Sequence, residues 1–377
     1  MTQAPVAFEL LPAAGGSKIA VATLNRPQAL NSLTLEMCQL LREQLLRWRS
    51  DDGIALLVLR GAGEKAFCAG GDLQGLYRSM QAHAGEGAWG NPYLRDFFAT
   101  EYRLDYLLHT YGKPVLAWGG GIVMGGGVGL FMGASHRVLT ETSRFAMPEV
   151  AIGLFPDVGG SWMLGRLPKH IGRFLAMTGA SIAAADTLRL GLADHLIPGQ
   201  KETAILADIQ ACAWTGNAAG DHALLSRLLR AHESQPGTQG PLQAHADLIR
   251  RTAGAGSFLE ICENITALRE HEDPWLQKAA LGLAHGSPGT ARLAHTLQER
   301  ARLLSLADVF RMEYVAALQC GVHGDFQEGI RALLVDKDKS PRWNPATLEQ
   351  ADEAWVEKFF VQPWPKNMAH PLADLES

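Results

Sequence analysis

The stretch Gly119-Gly120-Gly121-Ile122-Val123-Met124-Gly125-Gly126-Gly127-Val128-Gly129 restricts the fold of this chain most, with seven glycines in eleven positions. A glycine inside a helix costs about 1 kcal/mol relative to alanine, so helix preference does not account for them. The stretch follows the apolar run Pro114-Val115-Leu116-Ala117-Trp118 and precedes Leu130-Phe131-Met132. It therefore reads as the turn between a buried strand and a helix. Two reasons for bare backbone stand side by side. Either the turn packs tightly, or amides at a helix N-terminus face a carbonyl that is gaining negative charge. A second such turn lies upstream, in Lys65-Ala66-Phe67-Cys68-Ala69-Gly70-Gly71-Asp72-Leu73. Two turns of this kind would supply the pair of N–H groups that an oxyanion hole requires.

Periodicity places further elements around them. Residues 18–24 and 54–59 read as buried strands, and residues 34–49 as an amphipathic helix with Leu33, Met37, Leu40, Leu41 and Trp48 at helical spacing. Residues 79–92 are small and polar and read as a flexible connection. Residues 93–111 return to helical character and contain Glu101, whose position by itself suggests an ordinary solvated face. His136-Arg137-Val138-Leu139 is a short strand. Residues 162–200 look helical, with a strand near 192–197. Residues 201–255 are alanine-rich with a loop at 236–241, and 262–272 and 296–318 are helical by period. Strands alternating with helices first and helices last predict an α/β core with a helical C-terminal part.

Two carboxylates, Glu149 and Asp157, stand in the apolar, proline- and glycine-pinned run Met147-Pro148-Glu149-Val150-Ala151-Ile152-Gly153-Leu154-Phe155-Pro156-Asp157-Val158-Gly159-Gly160. Desolvated acids take up protons more readily, which would bring them toward working pH. The alternative is that each caps a turn or bonds a distant arginine. Cys68 lies beside the first glycine turn, as a nucleophile or as an inert buried thiol.

Composition removes several function classes. The 377 residues carry a formal charge of -5 with 47% hydrophobic residues, which argues for a sizeable core and against general nucleic-acid or membrane-surface binding. No apolar run is long enough for a transmembrane helix. Residues 1–18 lack the basic start and apolar stretch of a secretory signal, and the arginines of a transit peptide. The five cysteines are widely spaced without a Cys-x-x-Cys pair, so reduced thiols in the cytoplasm are expected. No metal-ligand spacing, Walker motif, Gly-x-Gly-x-x-Gly helix start or Gly-x-Ser-x-Gly elbow occurs.

Taken in order, Asn25-Arg26-Pro27 with Asn31, Phe67-Cys68-Ala69-Gly70-Gly71-Asp72, Met124-Gly125-Gly126-Gly127, and Pro148-Glu149 through Gly159-Gly160 resemble the crotonase (enoyl-CoA hydratase/isomerase) superfamily. Met147-Pro148-Glu149, Phe155-Pro156-Asp157-Val158-Gly159-Gly160 and the tail from Asp325 to Arg342 are similar to its 3-hydroxyisobutyryl-CoA hydrolase branch. The resemblance implies an α/β spiral of repeated strand-strand-helix (ββα) units over residues 1–200. It also implies a mainly helical region, 201–377, that completes the site or an oligomer interface. It implies an acyl-CoA substrate, with no cofactor beyond the coenzyme A of that substrate, no metal, and a possible homo-oligomer. The amides of Gly71 and Gly126 would form the oxyanion hole, with Glu149 and Asp157 as catalytic acids. Glu101, Gly126, Glu149, Asp157, Ala69 and Asp72 fall at substrate-binding positions. Hydratases carry a further glutamate where this chain has Gly129. That departure fits the branch that hydrolyses 3-hydroxyisobutyryl-CoA to 3-hydroxyisobutyrate in valine catabolism, and puts water addition to a double bond in doubt.

Overall fold

A computed structural model describes residues 4–235, 237 and 239–376. They form two compact units, each drawn from segments far apart in sequence. The first comprises Met1–Gly71, Arg103–Phe145 and Ile182–Gly240, the second Asp72–Tyr102, Ala146–Ser181 and Pro241–Ser377.

The first unit holds two sheets. In one, strands β1 (Val6–Pro12), β2 (Lys18–Leu24), β3 (Ile54–Gly61), β5 (Val115–Gly119), β7 (His136–Leu139) and β10 (His195–Leu196) lie in that order. β1 pairs antiparallel to β2, and the remainder run parallel. Parallel strands covered on both faces read as unbroken apolar runs, and residues 54–59 of β3 are all buried. β1, an edge strand with mixed burial, was not anticipated from sequence. The other sheet joins β4 (Ala66–Cys68), β6 (Ile122–Met124), β8 (Arg144–Ala146) and β9 (Ile182–Ala183). Along the chain, a long strand, a short strand and a helix recur: β3, β4, then Leu73–Ala82; β5, β6, then Gly126–Gly133. This is the expected ββα succession. Ile19, Val21, Leu56, Val58, Leu116, Trp118 and Val138 pack with Ile205, Ile209, Leu225 and Leu229 into one core.

The second unit is mainly helical. The expected connection at 79–92 is shorter than its composition suggests, because the helix Leu73–Ala82 runs into it and buries Leu76 and Met80. The helical span expected at 296–318 is interrupted. One helix, Pro288–Ala301, ends there, and Ser305 caps the next, Leu306–His323, by accepting from the Asp308 amide. Residues 160–200, which run from the second unit into the first, hold the helices Gly160–Gly165, Ile171–Thr178 and Ala184–Arg189 with β9 among them, and the strand expected near 192–197 is β10. The expected loop at 236–241 includes residues 236 and 238, which lie outside the described residues.

Candidate active site

In the first unit, the two glycine turns come together. Asn31, fully buried, reaches across from the Asn25-Arg26-Pro27 loop and donates to the carbonyls of Ala66 (2.8 Å) and Ala62 (3.0 Å). Ala69 donates its amide to Leu30, and the Leu33 amide donates to Gly70. These bonds fix the path of residues 66–71. A methyl group placed on Gly70 would lie 3.5 Å from the Met124 carbonyl and 3.7 Å from the Gly126 nitrogen. Gly126 opens the helix Gly126–Gly133, and Gly125 before it supplies no side-chain cap. An amide at this position has no acceptor within its own helix. A Cβ on Gly127 would overlap the Cys68 carbonyl oxygen, so the close approach of the turns requires glycine there. Close packing and a bare amide therefore occur in the same stretch. Cys68 is buried, and its thiol faces the Gly70 carbonyl at 3.7 Å. Asp72 precedes the helix Leu73–Ala82 without capping it through its side chain.

In the second unit, Glu101, Glu149 and Asp157 lie in one buried set, with 2%, 5% and 4% of their surfaces exposed. Glu101 sits on the helix Pro92–His109, and Glu149 opens the 3-10 turn Glu149–Ile152. Asp157 lies in the following loop. Its Oδ2 accepts a hydrogen bond from the Tyr102 hydroxyl at 2.9 Å. Burial pushes the Asp157 carboxyl up to about 7, partly offset by the Tyr102 hydrogen bond. Glu149 is raised well above the ordinary carboxylate range by burial and then by the charge of Asp157. Glu101 is raised likewise by burial, then Asp157, then Glu149. Like charges this close cannot all ionise, so these acids titrate as a set. Oε1 of Glu101 and Oε2 of Glu149 have no hydrogen-bond partner. Buried polar atoms are normally paired, and these two oxygens are exceptions within the acid set.

The turn carrying Glu149 is held by the C-terminal tail. Ser287 donates its amide to the Val150 carbonyl at 2.9 Å. Asp325, itself buried, accepts from the Ser287 hydroxyl (2.6 Å) and the Asn344 amide (2.7 Å). Gly153, at φ +74, lies so close that a Cβ there would overlap the Asp325 backbone. Charged residues in this tail thus do more than solvate a surface. Arg331 also ties Glu328, Asp336 and Asp338 to one guanidinium.

The solvated-face reading of Glu101 is corrected. Its helix packs that side among Phe97, Phe98 and Tyr102, all buried, and periodicity alone does not say which stripe faces an acid-lined interior. Among the described residues no arginine bonds Glu149 or Asp157, and the side-chain partner of Asp157 is the Tyr102 hydroxyl. Two members of the set were missed. Tyr102 adjoins Glu101 but carried no motif of its own. Glu313, on the helix Leu306–His323, is fully buried and lies 156 positions after Asp157 in sequence (313 minus 157). A glutamate in the apolar run around Tyr314 was the available signal.

Comparison with known proteins extends over most of the chain. The family model described as enoyl-CoA hydratase/isomerase matches residues 19–360. A 3-hydroxyisobutyryl-CoA hydrolase from Danio rerio, named as mitochondrial, is 40% identical over 350 residues, covering 91% of this chain and 87% of the relative. 3-hydroxyisobutyryl-CoA hydrolase 1 from Arabidopsis thaliana is 36% identical, covering 91% and 89%. The crystal structure of an enoyl-CoA hydratase from Rhodobacter sphaeroides 2.4.1 superposes with a TM-score of 0.81 at 32% identity, covering 95% of this chain and 97% of that one. Among the described residues no helix is long and apolar enough to cross a membrane. The mitochondrial names of relatives lend nothing to the cytoplasmic expectation. The ordered glycine turns, the buried acids and these matches place the chain in the enoyl-CoA hydratase/isomerase (crotonase) family.

Proposed function

We propose that this protein hydrolyses a short 3-hydroxyacyl-CoA thioester, with 3-hydroxyisobutyryl-CoA giving 3-hydroxyisobutyrate and free coenzyme A. The observation that carries the reading is the buried pair Glu149 and Asp157, with an unpaired Glu149 oxygen, in a chain that has glycine at position 129. Hydratases of the family share one water between two glutamates, and one of those is absent here. The naming of relatives at 36–40% identity as 3-hydroxyisobutyryl-CoA hydrolases supports the same choice.

In this reading the thioester carbonyl accepts from the amides of Gly71 and Gly126; the packing of Gly70 against the 124–126 turn supports it. Losing one such donor lowers turnover about 10²–10³-fold in comparable sites. Ala69 and Asp72 flank the first turn as substrate contacts. The Glu149 carboxylate then acts by one of two routes. It attacks the carbonyl carbon, the C–S bond breaks, coenzyme A leaves as thiolate, and water cleaves the resulting anhydride. Or it takes a proton from water, which attacks directly. Asp157 holds charge and proton against Glu149 in either route. The unpaired Glu101 oxygen accepts the substrate's 3-hydroxyl, so an acyl chain without that hydroxyl leaves a buried acceptor unmatched. No cofactor besides the coenzyme A of the substrate enters the scheme. Self-association into an oligomer and a cytoplasmic role in valine catabolism complete the proposal.

The test is a thiol-release screen across short acyl-CoAs with and without a 3-hydroxyl, alongside loss of enoyl absorbance on an enoyl-CoA. Glu149→Gln should abolish thiol release while still binding the thioester. Wild-type hydrolysis by that variant, or enoyl turnover faster than thiol release in the native protein, would overturn the reading.

A further inference from the structure

We propose that Glu313 is a positioning residue that clamps a strained turn and thereby aims the Asp157 carboxyl. The inference rests on the role given to Asp157 above. Val158, next to Asp157, has φ +52. A β-branched side chain in the left-handed region is a steric outlier, and such strain persists only where the surroundings over-determine it. What surrounds this residue is specific. Gly160 donates its amide back to the Asp157 carbonyl at 2.7 Å. Immediately beyond Val158, the amide of Gly159 donates to Glu313 Oε2 at 2.7 Å, and that of Ser161 to Glu313 Oε1 at 2.9 Å. One carboxylate thus takes two amides at the start of the helix Gly160–Gly165, and both its oxygens are used.

The same helix, Leu306–His323, braces the other side of Asp157. Phe310 packs against the Tyr102 ring at 5.5 Å between centroids, and the Tyr102 hydroxyl holds Asp157 Oδ2. A methyl on Gly159 would come within 3.3 Å of Phe310. Backbone and side chain of the Asp157 loop are therefore referenced to one helix, one turn apart. A glutamine at 313 could accept at only one terminal atom and would set an N–H against the other amide. The carboxylate is also the less comfortable choice, since burial, and to a lesser degree the neighbouring Asp157 charge, pushes it up to about 8. The groups that share this field are Tyr102, Asp157, Glu101, Glu149 and Cys320, all of them buried.

The experiment compares the full-length wild type with Glu313→Gln, Val158→Gly, the double variant and Asp157→Asn, using 3-hydroxyisobutyryl-CoA thiol release from pH 5 to pH 9. Glu313→Gln should lower kcat at least about tenfold with KM changed less than about threefold, the split expected for lost alignment. Adding Val158→Gly should recover most of the loss, since glycine holds φ +52 without strain. A Glu313→Gln protein with wild-type kcat, or a double variant no better than the single one, overturns the clamp. If Glu313→Gln does not fold alone, the double variant should fold and turn over, and its failure to do so overturns the clamp as well. Asp157→Asn separates the two levels. Wild-type turnover there removes the role on which the inference rests, whereas an inactive Asp157→Asn beside an unaffected Glu313→Gln removes the clamp alone.

Discussion

Replacing Tyr102 by phenylalanine deletes one oxygen from the buried acid set and leaves the ring packing in place. That oxygen donates to Asp157 Oδ2 at 2.9 Å, and the bond favours the charged form of an acid that burial has pushed up to about 7. A hydrogen bond to a charged group contributes about 1.5–3 kcal/mol. At 1.36 kcal/mol per pH unit, its loss raises the first ionisation of the set by about 1–2 units, to about 8–9. At pH 7 the ionised fraction then falls from about one half to between about one tenth and one hundredth. The expected result is a fall in kcat of about 5- to 50-fold at pH 7 that is regained as the pH rises toward 9.5. The assay is thiol release at saturating thioester across pH 5–9.5, with uncatalysed hydrolysis subtracted at each pH. An acidic limb that stays within about 0.3 unit of the wild type, or a loss at pH 7 that high pH does not restore, would refute the coupling of Tyr102 to the reacting acids.

Two further outcomes follow from the same geometry. Asp157 keeps its proton in the fold to about 7 but ionises near 3.8 when unfolded. Its contribution to stability is therefore complete below the unfolded value and is lost as pH rises through the folded one. Asp157→Asn should remove that dependence and gain on the wild type between pH 5 and pH 8 by about 2.6 kcal/mol, read by urea unfolding at both pH values; an equal slope in both proteins would contradict it. Gly127→Ala places a methyl against the Cys68 carbonyl and should destabilise by about 1–3 kcal/mol. Thiol release should fall with it as the two turns part, and a variant with unchanged melting and unchanged turnover would show that the approach of the turns is looser than described.

Local chemistry was sufficient to read much of this protein. Unbroken apolar runs marked the parallel strands β2, β3 and β5, because a strand covered on both faces has no polar side to show. Glycines marked both turns, because a side chain at 127 has nowhere to go. Glu149 and Asp157 stood out because acids are rare in so apolar a run. Other features required the folded chain. The strands of the second sheet are two or three residues long, too short for a period, and their partners come from distant segments. The inward face of Glu101, its neighbour Tyr102, the tail residue Asp325 against the Glu149 turn, and Glu313 across from Asp157 all depend on elements brought together from afar. Proton affinity is set by what surrounds a carboxyl in space. The order of residues along the chain could name the acids, and only packing could decide which of them are kept from water and share their charge.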